Sequence, residues 1–351
     1  VGWHTYHLLR SLLALDEQVE YVGYLRPGSL QAGRLEGWPV HDRLRWVETP
    51  RWLMPCRGAW DRLDLYHGPN FKMHTTGRSG GIVTIHDLWL ARHPEYSRKL
   101  LGQAGSSRRA IATANRARRV VTVSEFSARE IEALYGIPRE RVVVIHNGVT
   151  EEFSPVQDEQ GMAVLRARWA IPSAGFILFV GGADPRKNHR VFLQAVAQSR
   201  SQLGGRAILL VGDAEHPQGS YLATARSLGL EQDVRCTGRL NREDLCRLYS
   251  YAEVFVFPSL YEGFGMPVLE AMACGAPTIT SSTSSLPEVA GDAALLVNPE
   301  DAEALGAAMV KVLSEQALRQ QLRDRGFERA RLFTWQRAAL RTSALYRELC
   351  A

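Results

Sequence analysis

The chain has 351 residues, of which 45% are apolar and 23% charged, and carries a formal net charge of +5. That is enough for two ordinary α/β domains with cores of their own; it excludes a disordered or fibrous chain, and so small a charge does not by itself call for nucleic acid. Five scattered cysteines without a C-x-x-C pair argue for reduced thiols in a cytoplasm and against a zinc site, and no apolar run approaches the ~18 residues of a membrane span.

Val1-Gly2-Trp3 leads straight into an amphipathic helical pattern, Trp3 to Leu15, with no strand before it and no secretory leader. An open α/β domain begins with the strand that feeds such a helix. The expectation is that the true amino terminus, with a first glycine loop, precedes this sequence. Apolar runs then recur at Tyr21 to Tyr24, Leu44 to Val47, Leu65 to His67, Gly81 to Ile85, Val120 to Val123 and Val142 to Ile145. Several alternate with helical patterns, which predicts a parallel, doubly wound sheet. The Pro- and Trp-rich segment Glu48 to Trp60 has no clear period and predicts a loop, its tryptophans serving either as packing anchors or as an acceptor-side surface.

His86 and Asp87 follow the strand Ile82 to Ile85, at the carboxyl end where open sheets bind ligands. Taken alone they read equally well as a histidine satisfied locally and an aspartate capping the next turn. Ser124 reads as the N-cap of a helix running to Tyr135. Asn147-Gly148 ends another strand as a turn pair, and the polar, acidic stretch Thr150 to Gly161 marks a domain boundary.

The second half alternates more cleanly, with strands at Phe176 to Val180, Ala207 to Val211, Val234 to Thr237, Val254 to Phe257, Thr278 to Ser281 and Ala294 to Val297. The expected fold class is α/β, as two facing Rossmann-like doubly wound domains with a cleft between them. A last helical pattern, Ala317 to Leu349, breaks near Phe333-Thr334.

Two loops at strand ends carry the chemistry. Gly181-Gly182-Ala183-Asp184-Pro185-Arg186-Lys187-Asn188 puts two adjacent cations after a strand and before a helix. Elsewhere such a pair is a solvated charge. Here Arg can bind a diphosphate bidentately and Lys can neutralise it as a compact charge, which suits a departing nucleoside diphosphate without metal. The second loop follows Val254 to Phe257 and carries Glu262, then Gly263-Phe264-Gly265, with Pro267 where the first turn of a helix begins. Glycines let backbone approach a ligand, and a helix N-terminus favours an anion. Glu262 and Glu270 suit hydroxyls, because an ionised acid only accepts. Their bland reading is an exposed loop charge and a first-turn acid complementing the helix dipole.

The string E-G-F-G-x-P-x-x-E-A-M-A-x-G-x-P, from Glu262 to Pro277, resembles the donor-site signature of retaining GT-B glycosyltransferases of family 4. VGGADPRKN resembles the Arg/Lys loop of mannosyltransferase-like bacterial members, departing from it at Gly182-Ala183-Asp184, and GIVTIHDLW resembles the family's amino-terminal motif. The resemblance implies a retaining, metal-independent hexosyltransferase without a cofactor, moving a hexose from a nucleotide sugar to a saccharide or lipid-linked glycan. His86, Arg186, Lys187 and Glu262 would be catalytic: His86 on sugar and phosphate, the two cations on the diphosphate, Glu262 on sugar hydroxyls. Glu270 would hold the ribose. Gly2, Gly181, Gly182, Leu240, Gly263, Phe264, Gly265, Met266 and Pro267 would complete the donor surface. Residues 1–152 would form the acceptor-side domain, 153–333 the donor domain, and 334–351 a helix crossing back to the first.

GDP-mannose is the first expectation for the donor and a UDP-hexose the second, because Thr237 to Asp244 is placed to meet either base. A nicotinamide dehydrogenase would need G-x-G-x-x-G, which the visible chain lacks, and a two-domain sugar-binding protein has no use for a diphosphate clamp. No nucleic-acid partner is expected. Arg98 to Arg119 contains seven basic residues and no acid. Continued as one helix, it puts Arg108, Arg109, Arg116 and Arg119 within an arc of about 100°, opposite Ala110, Ala114 and Ala117. This face is either simply solvated or a peripheral contact with the anionic inner face of a membrane.

Overall fold

The computed structural model describes residues 2–15, 18–33, 35–94, 103–216 and 219–351, with 103–107 by backbone alone. Two compact units divide the chain: Val1–Gly148 with Thr334–Ala351, and Val149–Phe333.

In the first unit, α1 (Gly2–Leu13) is followed by the parallel pair β1 (Tyr21–Leu25) and β2 (Leu44–Glu48), then α2 (Met54–Trp60). Next come β3 (Tyr66–Gly68), β4 (Gly81–Ile85), α3 (Trp89–Arg92), α4 (Gln103–Arg116), β5 (Arg119–Thr122), α5 (Glu125–Tyr135) and β6 (Val142–Val144). Strands β3 to β6 form one parallel sheet in sequence order. Every residue of β4 is buried, and the two-residue period of a strand sends neighbours to opposite faces. Val83 and Ile85 pack with Ala110, Ala114, Ala128 and Ile131, from α4 and α5. Ile82 packs with Leu8 and Leu12 of α1.

The segment expected to be a loop contains α2. It is seven residues long, too short to show a helical period, and its position comes from close packing. A Cβ on Gly58 would lie 1.8 Å from the Thr76 carbonyl oxygen, and Thr75 Oγ1 accepts from Gly58 N at 3.0 Å while donating to Pro55 O at 3.1 Å. Trp52, before the helix, and Trp60, its last residue, are 76% and 60% exposed, so they are not packing anchors.

The basic stretch also departs from expectation. Arg98 and Lys99 lie outside the described residues. Helix α4 stops at Arg116, and Arg119 opens β5, half-buried and paired with Glu348 at 3.1 Å. The helical arc therefore holds Arg108, Arg109 and Arg116, which are exposed, while Ala110 and Ala114 are buried. A projection at fixed angle carries no information about where a helix ends, and Arg119-Val-Val-Thr122 joins the sheet instead.

In the second unit, α6 (Glu159–Arg168), β7 (Phe176–Val180), α7 (His189–Ser199) and β8 (Ala207–Val211) lead to a short antiparallel pair, β9 (Glu215–His216) and β10 (Gly219–Ser220). There follow α8 (Tyr221–Ser227), β11 (Val234–Gly238), α9 (Arg242–Tyr251), β12 (Val254–Phe257), α10 (Met266–Ala273), β13 (Thr278–Ser281), α11 (Leu286–Ala290), β14 (Ala294–Val297), α12 (Ala302–Ser314) and α13 (Gln316–Ala330). The parallel sheet has the order β11-β8-β7-β12-β13-β14. From β7 the chain builds outward through β8 to β11, then returns to lay β12 on the other side of β7. The crevice outside the carboxyl ends of β7 and β12 is thus a topological switch point, where open sheets bind ligands. The final helix, α14 (Trp335–Cys350), belongs to the first unit, with Ala338, Ala339, Leu345 and Leu349 buried in the cluster that holds Leu8 and Leu12 of α1. Among the described residues no helix is long and apolar enough to cross a membrane.

Candidate active site

The two loops singled out in the sequence are the two that flank the switch point. After β7, Gly181 N donates to Val211 O and Ala183 N to Asp213 O, both at 2.8 Å, so the chain stays on the sheet edge until Asp184. Asp184 caps the single turn Pro185–Lys187, accepting from Arg186 N at 2.9 Å and from the Arg186 guanidinium at 3.1 and 3.2 Å. Burial works to raise the Asp184 carboxyl, but the charge and hydrogen bonds of Arg186 outweigh it and hold the acid below its usual range. Asn188 ends the turn at φ +59°, a left-handed conformation that Asn tolerates, and its amide donates to Pro258 O at 3.1 Å and Pro299 O at 2.6 Å. The cationic loop is thereby fixed to the ends of β12 and β14.

Across the crevice, Glu262 is 9% exposed. Its Oε1 lies 2.6 Å from Lys187 Nζ and 2.8 Å from Ser259 Oγ. Lys187 Nζ also sits 5.1 Å above the ring of Phe257, an aromatic face that favours a cation. The residues assigned to the diphosphate and to the sugar are therefore already bonded to each other. Ser285 Oγ lies 2.8 Å from Glu262 O and 2.9 Å from Phe264 O, gathering the glycine loop from the α11 side. Gly265 has φ +106°, where a side chain is strained, and a Cβ there would lie 2.6 Å from Leu286. No side chain caps α10, and Met266 and Pro267 make its first turn, so the helix presents its amino end at this crevice.

Glu270 lies one turn further, half-buried, with Tyr249 OH 3.4 Å from Oε2. Burial pushes its pKa up to about 7. Gly181 and Gly182 lie at the end of β7; a Cβ on Gly181 would meet the Lys187 side chain at 3.1 Å. Leu240 is half-buried in the turn between β11 and α9, beside an exposed pair in which Arg239 grips both oxygens of Asp213. Sequence reasoning did not single out Ser259, Ser284 or Ser285, although Ser284 Oγ also accepts from Glu262 N at 3.2 Å. A run of Ser and Thr from the end of β13 was the only signal for Ser284 and Ser285, and Ser259, just after β12, had none.

His86 and Gly2 belong to the first unit. His86 Nε2 donates to Pro69 O at 2.9 Å, and the ring meets that of His4 edge to face at 4.7 Å. Burial lowers its pKa, opposed by the bond to Pro69 and the charge of Asp87. Asp87 accepts from Trp89 N at 3.1 Å and Ser124 caps α5, the local roles that each residue type predicts. Gly2 opens α1 and nothing lies within 4 Å of where its Cβ would be.

Two α/β units, each built on a parallel sheet and one with a glycine loop and paired charges at its switch point, mark the GT-B class of glycosyltransferases. Residues 164–329 match Glycosyl transferases group 1, and residues 1–153 match Glycosyltransferase Family 4. The chain is 33% identical to the O-antigen chain mannosyltransferase B of Escherichia coli over 86% of its own length and 80% of that protein. It is 34% identical to the serotype-specific mannosyltransferase WbdA of Escherichia coli over 65% of its length, spanning only 28% of that longer protein. Its fold is similar to that of sucrose-phosphate synthase from Thermosynechococcus elongatus, with a TM-score of 0.74 at 24% identity, covering 99% of this chain and 93% of the other. The chain belongs to glycosyltransferase family 4.

Glu270 yields a prediction about stability. Its folded pKa of about 7 lies above the ordinary value of 4.5, so folding favours the protonated acid. The stability it contributes is complete below the ordinary value and is lost as pH rises through about 7. Glu270→Gln should therefore match the parent at about pH 4 and exceed it at pH 8 by about 1 to 3 kcal/mol in urea denaturation. An equal difference at both pH values would contradict an elevated carboxyl.

Proposed function

We propose that the protein transfers mannose from GDP-mannose, with retention and without a metal, to a saccharide or lipid-linked glycan. The observation that supports this reading best is the meeting of Lys187 and Glu262 at the switch point, 2.6 Å apart. A bound nucleotide sugar would separate them, its diphosphate drawing Lys187 and Arg186 and its sugar hydroxyls taking Glu262. The Gly263 to Gly265 amides would face the phosphate or sugar, Glu270 the ribose, Leu240 the base, and His86 the sugar from residues 1–152, the acceptor-side domain. The bond from the anomeric carbon to the diphosphate oxygen then breaks. An acceptor hydroxyl forms the new bond on the same face and passes its proton to a phosphate oxygen.

The donor follows from the Arg186-Lys187 loop and from the mannosyltransferase relatives, and the test is direct. With an oligomannoside as acceptor, GDP should be released from GDP-mannose, undiminished by EDTA. Charge-assisted bonds are worth roughly 1.5 to 3 kcal/mol each, so replacing Arg186 and Lys187 together with Ala should lower turnover at least about a hundredfold. Release of UDP from a UDP-hexose alone would overturn the donor while keeping the class. Activity lost to EDTA and restored only by Mg²⁺ or Mn²⁺ would overturn the metal-independent mechanism.

The proposed setting is the cytoplasmic face of a membrane, reached through Arg108, Arg109 and Arg116 on α4. Near an anionic surface each contributes about 1 kcal/mol, enough for reversible attachment that salt screens. The protein should sediment with anionic vesicles at low salt and not with zwitterionic ones. Changing those three arginines to Ser should abolish this, while Arg119→Ser, already paired with Glu348, should not. Equal binding by the triple variant would discard the membrane contact.

A further inference from the structure

Three imidazoles of the first unit, His4, His67 and His86, lie together, and the proposed function uses only His86. His4, on α1, is 8% exposed. Its Nδ1 lies 2.8 Å from Asn147 Oδ1, an oxygen that can only accept, so Nδ1 carries the hydrogen. Nε2 is then a lone pair, buried without a hydrogen bond. Burial, with the nearby His86 ring adding to it, pushes the pKa of His4 to about 3. His67, on β3, sits between Tyr346 OH at 2.6 Å and Thr84 Oγ1 at 2.7 Å, and burial pushes it to about 4. The cluster is uncharged at neutral pH.

His86 is the member at the strand end. Pro69 O is a carbonyl and cannot donate, so the 2.9 Å bond fixes the hydrogen of His86 on Nε2. A neutral ring then presents Nδ1 as a bare acceptor. Such a nitrogen takes a hydrogen bond from a hydroxyl and is repelled by the lone pairs of a phosphate oxygen. Keeping that arrangement requires that the ring neither turn over nor charge. The His4 ring stands edge to face against it at 4.7 Å and 77°. His4 is in turn held by Asn147 and by the Trp335 ring at 5.5 Å. Asn147 has no room to shift, since the next residue, Gly148, passes so close to α14 that a Cβ on it would lie 2.0 Å from Trp335 N.

We propose that His4 is a positioning residue, which with the Pro69 carbonyl holds His86 as a neutral imidazole with a bare Nδ1, so that His86 accepts from a hydroxyl of the transferred sugar and does not bind phosphate. The charged and titratable groups that bear on His86 are the chain's amino terminus, His4, His67 and Asp87; only Asp87 favours a charge, and its carboxylate is engaged by Trp89 N. This rests on the assignment of His86 to the donor sugar, which narrows from sugar and phosphate to sugar alone.

The test combines long-range ¹H–¹⁵N spectra of histidine-labelled protein with steady-state kinetics. Parent His86 should appear as the Nε2–H tautomer from about pH 7 to pH 8. In His4→Ala the signal should move toward mixed tautomers or the cation, and kcat should fall at least about tenfold while KM for the nucleotide sugar changes by less than about threefold. His4→Phe keeps the ring contact and should recover most of the lost kcat. Equal thermal stabilisation of parent and variants by nucleoside diphosphate would show that the variants fold. An Nδ1–H or doubly protonated His86 in the parent at neutral pH overturns the proposal, as does a His4→Ala protein with parental tautomer and kcat. Parental turnover in His86→Ala, beside an Nε2–H signal in the parent, would refute the placement of His86 on the sugar instead.

Discussion

The second unit depends on one constraint, the reversal of strand order between β7 and β12. Parallel neighbours whose connections leave in opposite directions cannot have their loops packed over one another, so a crevice opens at their carboxyl ends. The protein fills it with a cation from one loop and an acid from the other. Lys187 and Glu262 stand 75 positions apart in sequence and 2.6 Å apart in space. With side chains only 16% and 12% exposed, neither charge is well served by water, and each needs the other until a ligand replaces it.

That mutual dependence links stability to function. The closed pair keeps its charges matched, while in the proposed function a nucleotide sugar would offer Lys187 a diphosphate and Glu262 a set of hydroxyls. The supports around the pair do not need to move for this exchange. Asn188 is tied to two carbonyls, Ser259 and Ser285 hold the glycine loop, and Gly265 adopts a backbone angle that few other residues would accept. In the first unit the same logic appears without charge: burial holds His4, His67 and His86 toward the neutral form, and the bond to Pro69 sets the tautomer of His86.

Much of this was legible because the information was local. Val254 to Phe257 had to be a buried strand, and Glu-Gly-Phe-Gly followed by Pro267 had to be a loop entering a helix, since backbone freedom and a missing N–H mark those places. Helix α2 was not legible: seven residues give no period, and its seat depends on Gly58 meeting Thr76. Extending α4 to Arg119 failed because angular spacing continues through any sequence, whereas the helix stops where Val120 and Val121 are needed by the sheet. Contacts between distant segments were hidden altogether. The Lys187–Glu262 pair requires knowing that β7 lies beside β12, and the His4–Asn147 bond requires knowing that α1 lies beside the end of β6.

The central claim is that the Lys187–Glu262 pair opens to admit a nucleotide sugar, Lys187 going to the diphosphate. Calorimetric titration of GDP into the parent, Lys187→Ala and Glu262→Gln tests it most directly, because GDP carries the diphosphate and lacks the sugar. Lys187→Ala should weaken binding at least about tenfold, the loss of one charge-assisted bond. Glu262→Gln should bind GDP as tightly as the parent or more tightly, because Lys187 no longer has to leave a partner. Parental affinity in Lys187→Ala, or an equal loss in Glu262→Gln, would contradict the account.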